Sequence, residues 1–224
     1  MFGLALSVTR ETGEDVVLRQ FTREEATAAA PYLADPDVNR TIMIGTFAST
    51  EQSVGEWYDK VVGDPDKFIW GIYVRDEQGN EVRVGHTDLN FKQKRQLRGS
   101  TGCVIFRKDY WGEGIISAAH LARTLYAVEV LDLLAIDSDV VVGNVASLKA
   151  LKRVGYAVVG TDYGKHLVQG QLNDLDRLLW VNPTEHAWNY FWRERPVPEH
   201  MVQARLQALQ ALTVARDCVT YYKT

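Results

Sequence analysis

Only two of the 224 residues are cysteine, Cys103 and Cys218, and they lie far apart. That excludes a disulfide-framed fold and a zinc site built on cysteine spacing, so no metal is expected. Cys103 falls in an apolar stretch and reads as a buried thiol rather than a nucleophile. No apolar run approaches the ~20 residues of a membrane span, so no membrane partner is expected. The N-terminus lacks a basic segment followed by an apolar one, which makes a cytoplasmic protein the expectation. Lys and Arg nowhere form a run able to follow a phosphate backbone. The nearest is Lys92, Lys94, Arg95 and Arg98, which reads as a solvated loop or a local anion contact. With a net charge of −4 and a pI of about 5.8, nucleic acid is not expected as a partner. Internal repeats and low-complexity tracts are also lacking.

What is present is ordinary for a folded chain: 46% hydrophobic and 24% charged residues. The length suffices for one large α/β domain, or one domain with an appendage.

Asp15 to Phe21 is predicted as a strand around Val16, Val17 and Leu18. Thr22 with Glu25 three residues on reads as a capping box, opening a helix to about Leu33. Asp35-Pro36-Asp37 ends it. A second helix begins near Thr50 and carries Val54, Trp57, Tyr58 and Val61 at helical spacing. Phe68 to Val74 and Val82 to Phe91 form a hairpin across the turn at 76–80. Gln93 to Gly99 is a polar loop, and Thr101 to Phe106 another strand. Ala118, Leu121, Ala122, Leu125 and Val128 mark one apolar helix face. Leu133 to Val142 is a strand, Asn144 to Val154 a short helix, and Tyr156 to Tyr163 and Leu175 to Val181 the last strands. A meander followed by strand–helix–strand crossovers predicts a mixed sheet with helices on both faces. After Pro183, a short aromatic helix (Thr184 to Arg193) and a long helix (Glu199 to about Cys218) follow. The long helix has Val202, Leu206, Leu209 and Leu212 along one face.

The chemistry concentrates between Phe106 and Ile115. Trp111-Gly112-Glu113-Gly114-Ile115 joins a strand to a helix. Glycines one residue apart allow close backbone approach, and first-turn N–H groups have no intrahelical partner, so a pyrophosphate is a natural ligand there. Taken alone, the same residues also describe a tight turn. About 30 residues later, Asn144-Val145-Ala146-Ser147 opens a helix that ends in Gly155-Tyr156, with Asn144 as N-cap and Gly155 as C′ residue.

Together these two segments resemble the GNAT superfamily of N-acetyltransferases, most of all the branch containing ribosomal-protein N-terminal acetyltransferases and related small-molecule acetyltransferases. The resemblance spans roughly Val16 to Val181. It implies an α/β (α+β) fold with a mixed, mostly antiparallel central sheet and helices on both faces. A domain at 1–182 would carry a C-terminal helical extension at 183–224. It implies acetyl-CoA as cosubstrate, held by Trp111, Gly112, Glu113, Gly114 and Ile115, with Asn144 and Ser147 from the second motif. Backbone N–H groups of Val104, Ile105 and Phe106 would face the thioester oxygen.

Two positions depart from the family pattern. Asp109 stands where Gln or Arg is usual, and Leu151 where many members have an acid Tyr. In the favoured branch a Ser three residues after the Asn serves instead, which points to Ser147; a Ser there is also a common local cap. The resemblance implies direct attack of a neutral amine on the thioester, aided by a general base. A branch Glu position falls on His166, with an ordinary pKa near 6.5. Asp88 and His86 are rivals, and each has the plainer reading of a solvent-facing residue. The region Asn39 to Phe47 with Trp57 and Tyr58 is expected to shape the acceptor pocket. The acceptor is expected to be a small-molecule amine or a peptide α-amine. The alternative is a GNAT-fold acyl-CoA sensor without turnover. The C-terminal helix is expected to dock on a second subunit, giving a homodimer, or to cover its own domain.

Overall fold

A computed structural model of the chain describes residues 3–13, 15–40, 42, 49–75, 78–93, 97–168 and 170–222, without the side chains of Lys92 and Gln93. Of the expectations above, Lys94, Arg95 and most of the acceptor segment (41 and 43–47) lie outside these residues.

Among the described residues, nine strands form one sheet: β1 (Ala5–Thr9), β2 (Asp15–Arg19), β3 (Lys67–Arg75), β4 (Glu81–Gln93), β5 (Arg98–Ile105), β6 (Ala135–Val141), β7 (Ala157–Val168), β8 (Gln171–Val181) and β9 (Val219–Tyr222). Their spatial order is β7-β8-β6-β5-β4-β3-β2-β1-β9. Every pairing is antiparallel except β5–β6. The expected mixed, mostly antiparallel sheet is what the chain forms.

The capping box at Thr22 is present. Glu25 N donates to Thr22 Oγ1 at 3.2 Å, and Thr22 N to Glu25 Oε2 at 2.8 Å. The helix it opens is interrupted, giving α1 (Arg23–Thr27) and α2 (Ala30–Leu33), and Asp35-Pro36-Asp37 ends it as expected but also opens a further short helix, α3 (Pro36–Asn39), with Asp35 as N-cap. Pro31 has no N–H to continue the ladder, so the chain turns at Ala28–Ala29 and restarts. Thr50 caps α4 (Glu51–Val62). These helices cover one face through Ala26, Leu33, Val54 and Val61, packed on Val17, Ile69 and Val104. The opposite face carries α5 (Ile115–Glu129) and α6 (Val145–Arg153) over Trp70, Ile72, Ile136 and Trp180.

The C-terminal segment belongs to the same core. After α7 (Glu185–Trp192), α8 (Glu199–Cys218) lays Ala208, Ala211, Leu212 and Ala215 into the α5/α6 face. The chain then closes with β9 on β1. The apolar face of α8 is not the one expected: Val202, Leu206 and Leu209 stay 42%, 51% and 41% exposed. The reason is close approach. A Cβ on Gly155 would stand 2.4 Å from the Ala208 Cβ, so the helix seats on alanines where leucines would not fit. Gly155 also has φ +95° and ends α6: its N–H reaches Lys152 O at 3.0 Å, while Tyr156 N reaches Leu151 O at 3.2 Å.

Gly155→Ala therefore combines a left-handed backbone with overpacking and should lower unfolding free energy by about 2–4 kcal/mol in urea denaturation. Gly79→Ala is the control, with a similar φ of +84° but open space around it. It should cost only about 1 kcal/mol. Equal losses at the two sites would remove the packing argument.

Candidate functional site

The site begins where two strands part. The β5–β6 ladder ends at Thr101↔Ser138. On its other edge β5 stays paired with β4 as far as Gly85↔Ile105, and β6 stays paired with β8 as far as Val141↔Leu175. Residues 102–105 and 139–141 thus line the two banks of a wedge, within a cavity of about 560 Å³.

The direction of each free N–H follows from the β4 register. Phe106 N donates to Val84 O at 3.0 Å. Strand alternation therefore turns the N–H of Val104 toward β4 as well, and those of Cys103 and Ile105 toward the gap. No strand among the described residues lies opposite them.

One end of the wedge is closed by the glycine loop. Gly112 and Gly114 have φ +89° and +78°, and a Cβ on either would meet nothing within 4 Å, so both backbones lie bare. Gly114 is the N-cap of α5, and the helix ladder first closes with Ala118 N on Gly114 O at 3.1 Å. The N–H groups before it are left to a ligand. Trp111 Nε1 donates to Ile105 O at 2.8 Å, tying the loop to the tip of β5. Asp109 does not spoil this anion-friendly corner. Arg107 holds its carboxylate at 3.0 and 2.5 Å and keeps it below the usual carboxylate pKa, with the side chain 55% exposed. Opposite, α6 is capped by Asn144, whose Oδ1 accepts from Ser147 N at 3.2 Å.

Val104, Ile105, Trp111, Gly112, Gly114, Ile115, Asn144 and Ser147 all line this cavity. Three expected residues do not. Phe106 is 2% exposed and stacks on Tyr32 at 6.0 Å, and its N–H is already engaged by Val84. Glu113 offers its carbonyl to Arg10 Nη1 at 2.8 Å, outside the wall. His166 is not in a loop but in β7, opposite Asn173, with Nε2 3.3 Å from Ile42 O. Ile42 lines the cavity, and His166 does not.

The two rivals, His86 and Asp88, are both in the wall. His86 is buried against Trp57, with ring centroids 5.0 Å apart. Burial first, then Arg83 and Lys67, push its pKa down to about 3. It is neutral and a poor base. Asp88 accepts Lys67 Nζ at 2.9 Å and Gly102 N at 3.0 Å. Gly102 has no side chain to cover that carboxylate, whose oxygens a Cβ there would meet at 3.6 Å.

Sequence reasoning missed Lys67, His120, Lys149 and Arg153, which also line the cavity. Lys149 and Arg153 carried a readable signal, two cations four residues apart on a predicted helix, aimed where a phosphate-bearing ligand would lie. Leu151, at the position of the usual acid, is 1% exposed and apolar.

The comparisons agree with this architecture. A family model described as an acetyltransferase (GNAT) domain matches residues 15–157. A spermidine N-acetyltransferase from Vibrio cholerae, in complex with CoA and spermine, superimposes with TM-score 0.63 at 17% identity, over 74% of this chain and 95% of that one. A point variant of the spermidine N-acetyltransferase from the same organism gives 0.57 at 19%, over 80% and 99%. A protein described as a probable acetyltransferase gives 0.62 at 21%, over 75% and 93%. At these identities the likeness concerns the fold. No curated protein matches in sequence.

The buried imidazoles carry a pH consequence. His86 and His120 are both held neutral by burial, while in the unfolded chain each takes up a proton below about 6.5. Unfolding therefore consumes protons in that window, and stability is lost as pH falls from 6.5 toward 3. His86→Leu should flatten the dependence measured by urea denaturation across this range. A variant with the wild-type slope would show that His86 is not held neutral.

Proposed function

The chain belongs to the GNAT acetyltransferase family, and we propose that it moves an acetyl group from acetyl-CoA to a primary amine of a small molecule or a peptide by direct attack. The protein is an acyltransferase of the N-acetyltransferase type. The observation that carries the finer reading is the wedge between β5 and β6 with an unsatisfied helix N-terminus at its end. A pantetheine arm needs such a slot, and a pyrophosphate needs such a corner.

The residues present fit that cosubstrate. The N–H groups at Gly114 and the first turn of α5 would take the pyrophosphate, with Lys149 and Arg153 supplying positive charge. Acetyl-CoA supplies an activated acyl thioester. The gap-facing N–H groups of Cys103 and Ile105 stand ready for negative charge on the thioester oxygen. The neutral amine nitrogen bonds to the acyl carbon, the C–S bond breaks, the thiolate leaves with the bonding pair, and the proton shed by the nitrogen passes through water to replace the one that the sulfur receives. Ser147 is the group we assign to return a proton to that sulfur. On the acceptor side we assign Asp88, in preference to His166, to receive the ammonium and pass one of its protons to solvent, which frees the lone pair that attacks. Asp88 lines the cavity and is uncovered at Gly102, whereas His166 is not among the lining residues and its Nε2 lies 3.3 Å from Ile42 O. The surroundings fit a cytoplasmic enzyme with two free thiols.

The test is thiol release from acetyl-CoA across an amine panel. A polyamine belongs in it because of the V. cholerae neighbour, and a peptide α-amine because of the branch the motifs resemble. Amine-dependent release is expected, and Gly112→Asp with Gly114→Asp should abolish CoA binding by calorimetry with the fold retained. Tight CoA binding with no release for any amine would replace the enzyme reading by a sensor. Retained binding in the double variant would refute the corner as the phosphate site.

We also propose that the exposed row Val202, Leu206 and Leu209 on α8 docks on a second copy, making a homodimer. Sedimentation should give a dimer for the wild type and a monomer for Leu206→Glu with Leu209→Glu. A monomeric wild type ends the idea.

A further inference from the structure

Arg123 is an oddity of the interior. It sits midway along α5 with 0% exposure. No carboxylate among the described residues lies within ion-pair distance; the neutral hydroxyl of buried Tyr156 is a polar neighbour, and neither that hydroxyl nor the Nε and Nη2 of Arg123 reaches a partner with hydrogen-bond geometry. A buried cation without a counter-charge costs several kcal/mol, and as a mere strut it would pack no better than a methionine.

Its one engaged nitrogen shows where the charge is aimed. Nη1 donates to Thr87 Oγ1 at 2.6 Å and to Gly102 O at 3.3 Å. Thr87, also 0% exposed, donates its hydroxyl to the same Gly102 O at 2.9 Å. Gly102 C=O and Cys103 N–H are the two ends of one trans peptide unit. The carbonyl end faces β4 and receives the guanidinium and the hydroxyl. The other end is the N–H that opens into the gap just past the last β5–β6 pair, Thr101↔Ser138. Hydrogen bonds donated to a carbonyl polarise the amide and strengthen its N–H as a donor.

We propose that Arg123 is a positioning residue for acetyl transfer: through Thr87 and the Gly102–Cys103 peptide it makes the Cys103 N–H the principal donor to the thioester oxygen, and its own charge becomes compensated as that oxygen turns negative. The inference rests on the acetyltransferase reading above. It explains why the cation has no protein anion beside it. A resident carboxylate would cancel the field that the reaction uses, whereas an empty counter-charge position is filled only while the acyl carbon is tetrahedral. Arg123 itself touches no substrate and is absent from the cavity wall.

The experiment reads the bond being polarised. Acetyl-CoA carrying a ¹³C-labelled carbonyl is bound to the protein, and its stretch is followed by isotope-edited infrared difference spectroscopy, alongside kcat, KM and CoA affinity. In the wild type the band should lie below its frequency in water. Arg123→Met should move it back toward the water value and lower kcat by about 10- to 100-fold, with KM and CoA affinity held within about twofold. Arg123→Lys, which restores the charge with a shorter reach, should recover part of both. A folded Arg123→Met protein with wild-type band and kcat overturns the proposal. So does a variant that loses stability and affinity together without a band shift, because that is a structural role. If Arg123→Met does not fold, Thr87→Val takes its place, and an unshifted band there is equally fatal. Failure of the parent reading looks different: the wild type then binds no acetyl-CoA, and the inference falls with it.

Discussion

Everything in this site depends on β5 and β6 ceasing to pair while each remains held on its other edge. A strand edge with free N–H and C=O groups is costly to bury and is normally covered or paired. Here β4 and β8 keep the two strands in place, so the break cannot heal by sliding, and the open edges must be met by water or by a ligand's own amides. The break also sets the position of the neighbours. The tip of β5 is where Trp111 anchors the glycine loop, and the tip of β6 leads directly to Asn144 and the start of α6.

The wedge divides the chemistry between the two faces of the sheet. Along β4, His86 lies against Trp57 of the α4 side, while Thr87 reaches Arg123 of α5. Along β5, Val104 packs in the α4-side cluster and Ile105 in the α5-side cluster. Under the proposed function the donor enters from the α5 N-terminus, and the acceptor meets Asp88 and Lys67. Alternation of side chains along two neighbouring strands is enough to keep the two substrates' binding groups apart and their reacting atoms together.

Much of this was legible in the sequence. Glycines that must take positive φ, an Asn that caps a helix and a Thr–Glu capping box are local demands, and each shows at the position that makes it. What was not legible depends on partners distant in the chain. Phe106 sits in the right strand, but whether its N–H faces the gap is decided by its register with Val84. His166 looked like a loop residue between glycines, yet the chain from Ala157 to Val181 is a single long hairpin. The short strands β1 and β9 leave too few alternating residues to stand out; β1 is fixed by β2 on one edge, and β9 is a strand because β1 offers it the other.

On α8 the face marked by the helical spacing of large apolar residues is not the face that packs. Val202, Leu206, Leu209 and Leu212 form the greasier row, but only Leu212 is buried. What decides the seat is how near the helix axis can come to α6 and β7, and that is set by Gly155 and the alanine row. Close packing rewards contact along a whole face more than the size of any one side chain. The larger residues are thereby displaced to the outside. An exposed apolar row on a helix whose other face is locked into the core cannot be relieved by rolling the helix, since turning it would drive leucines against Gly155. The row must stay where it is, and any cover for it has to come from beyond this chain's own core.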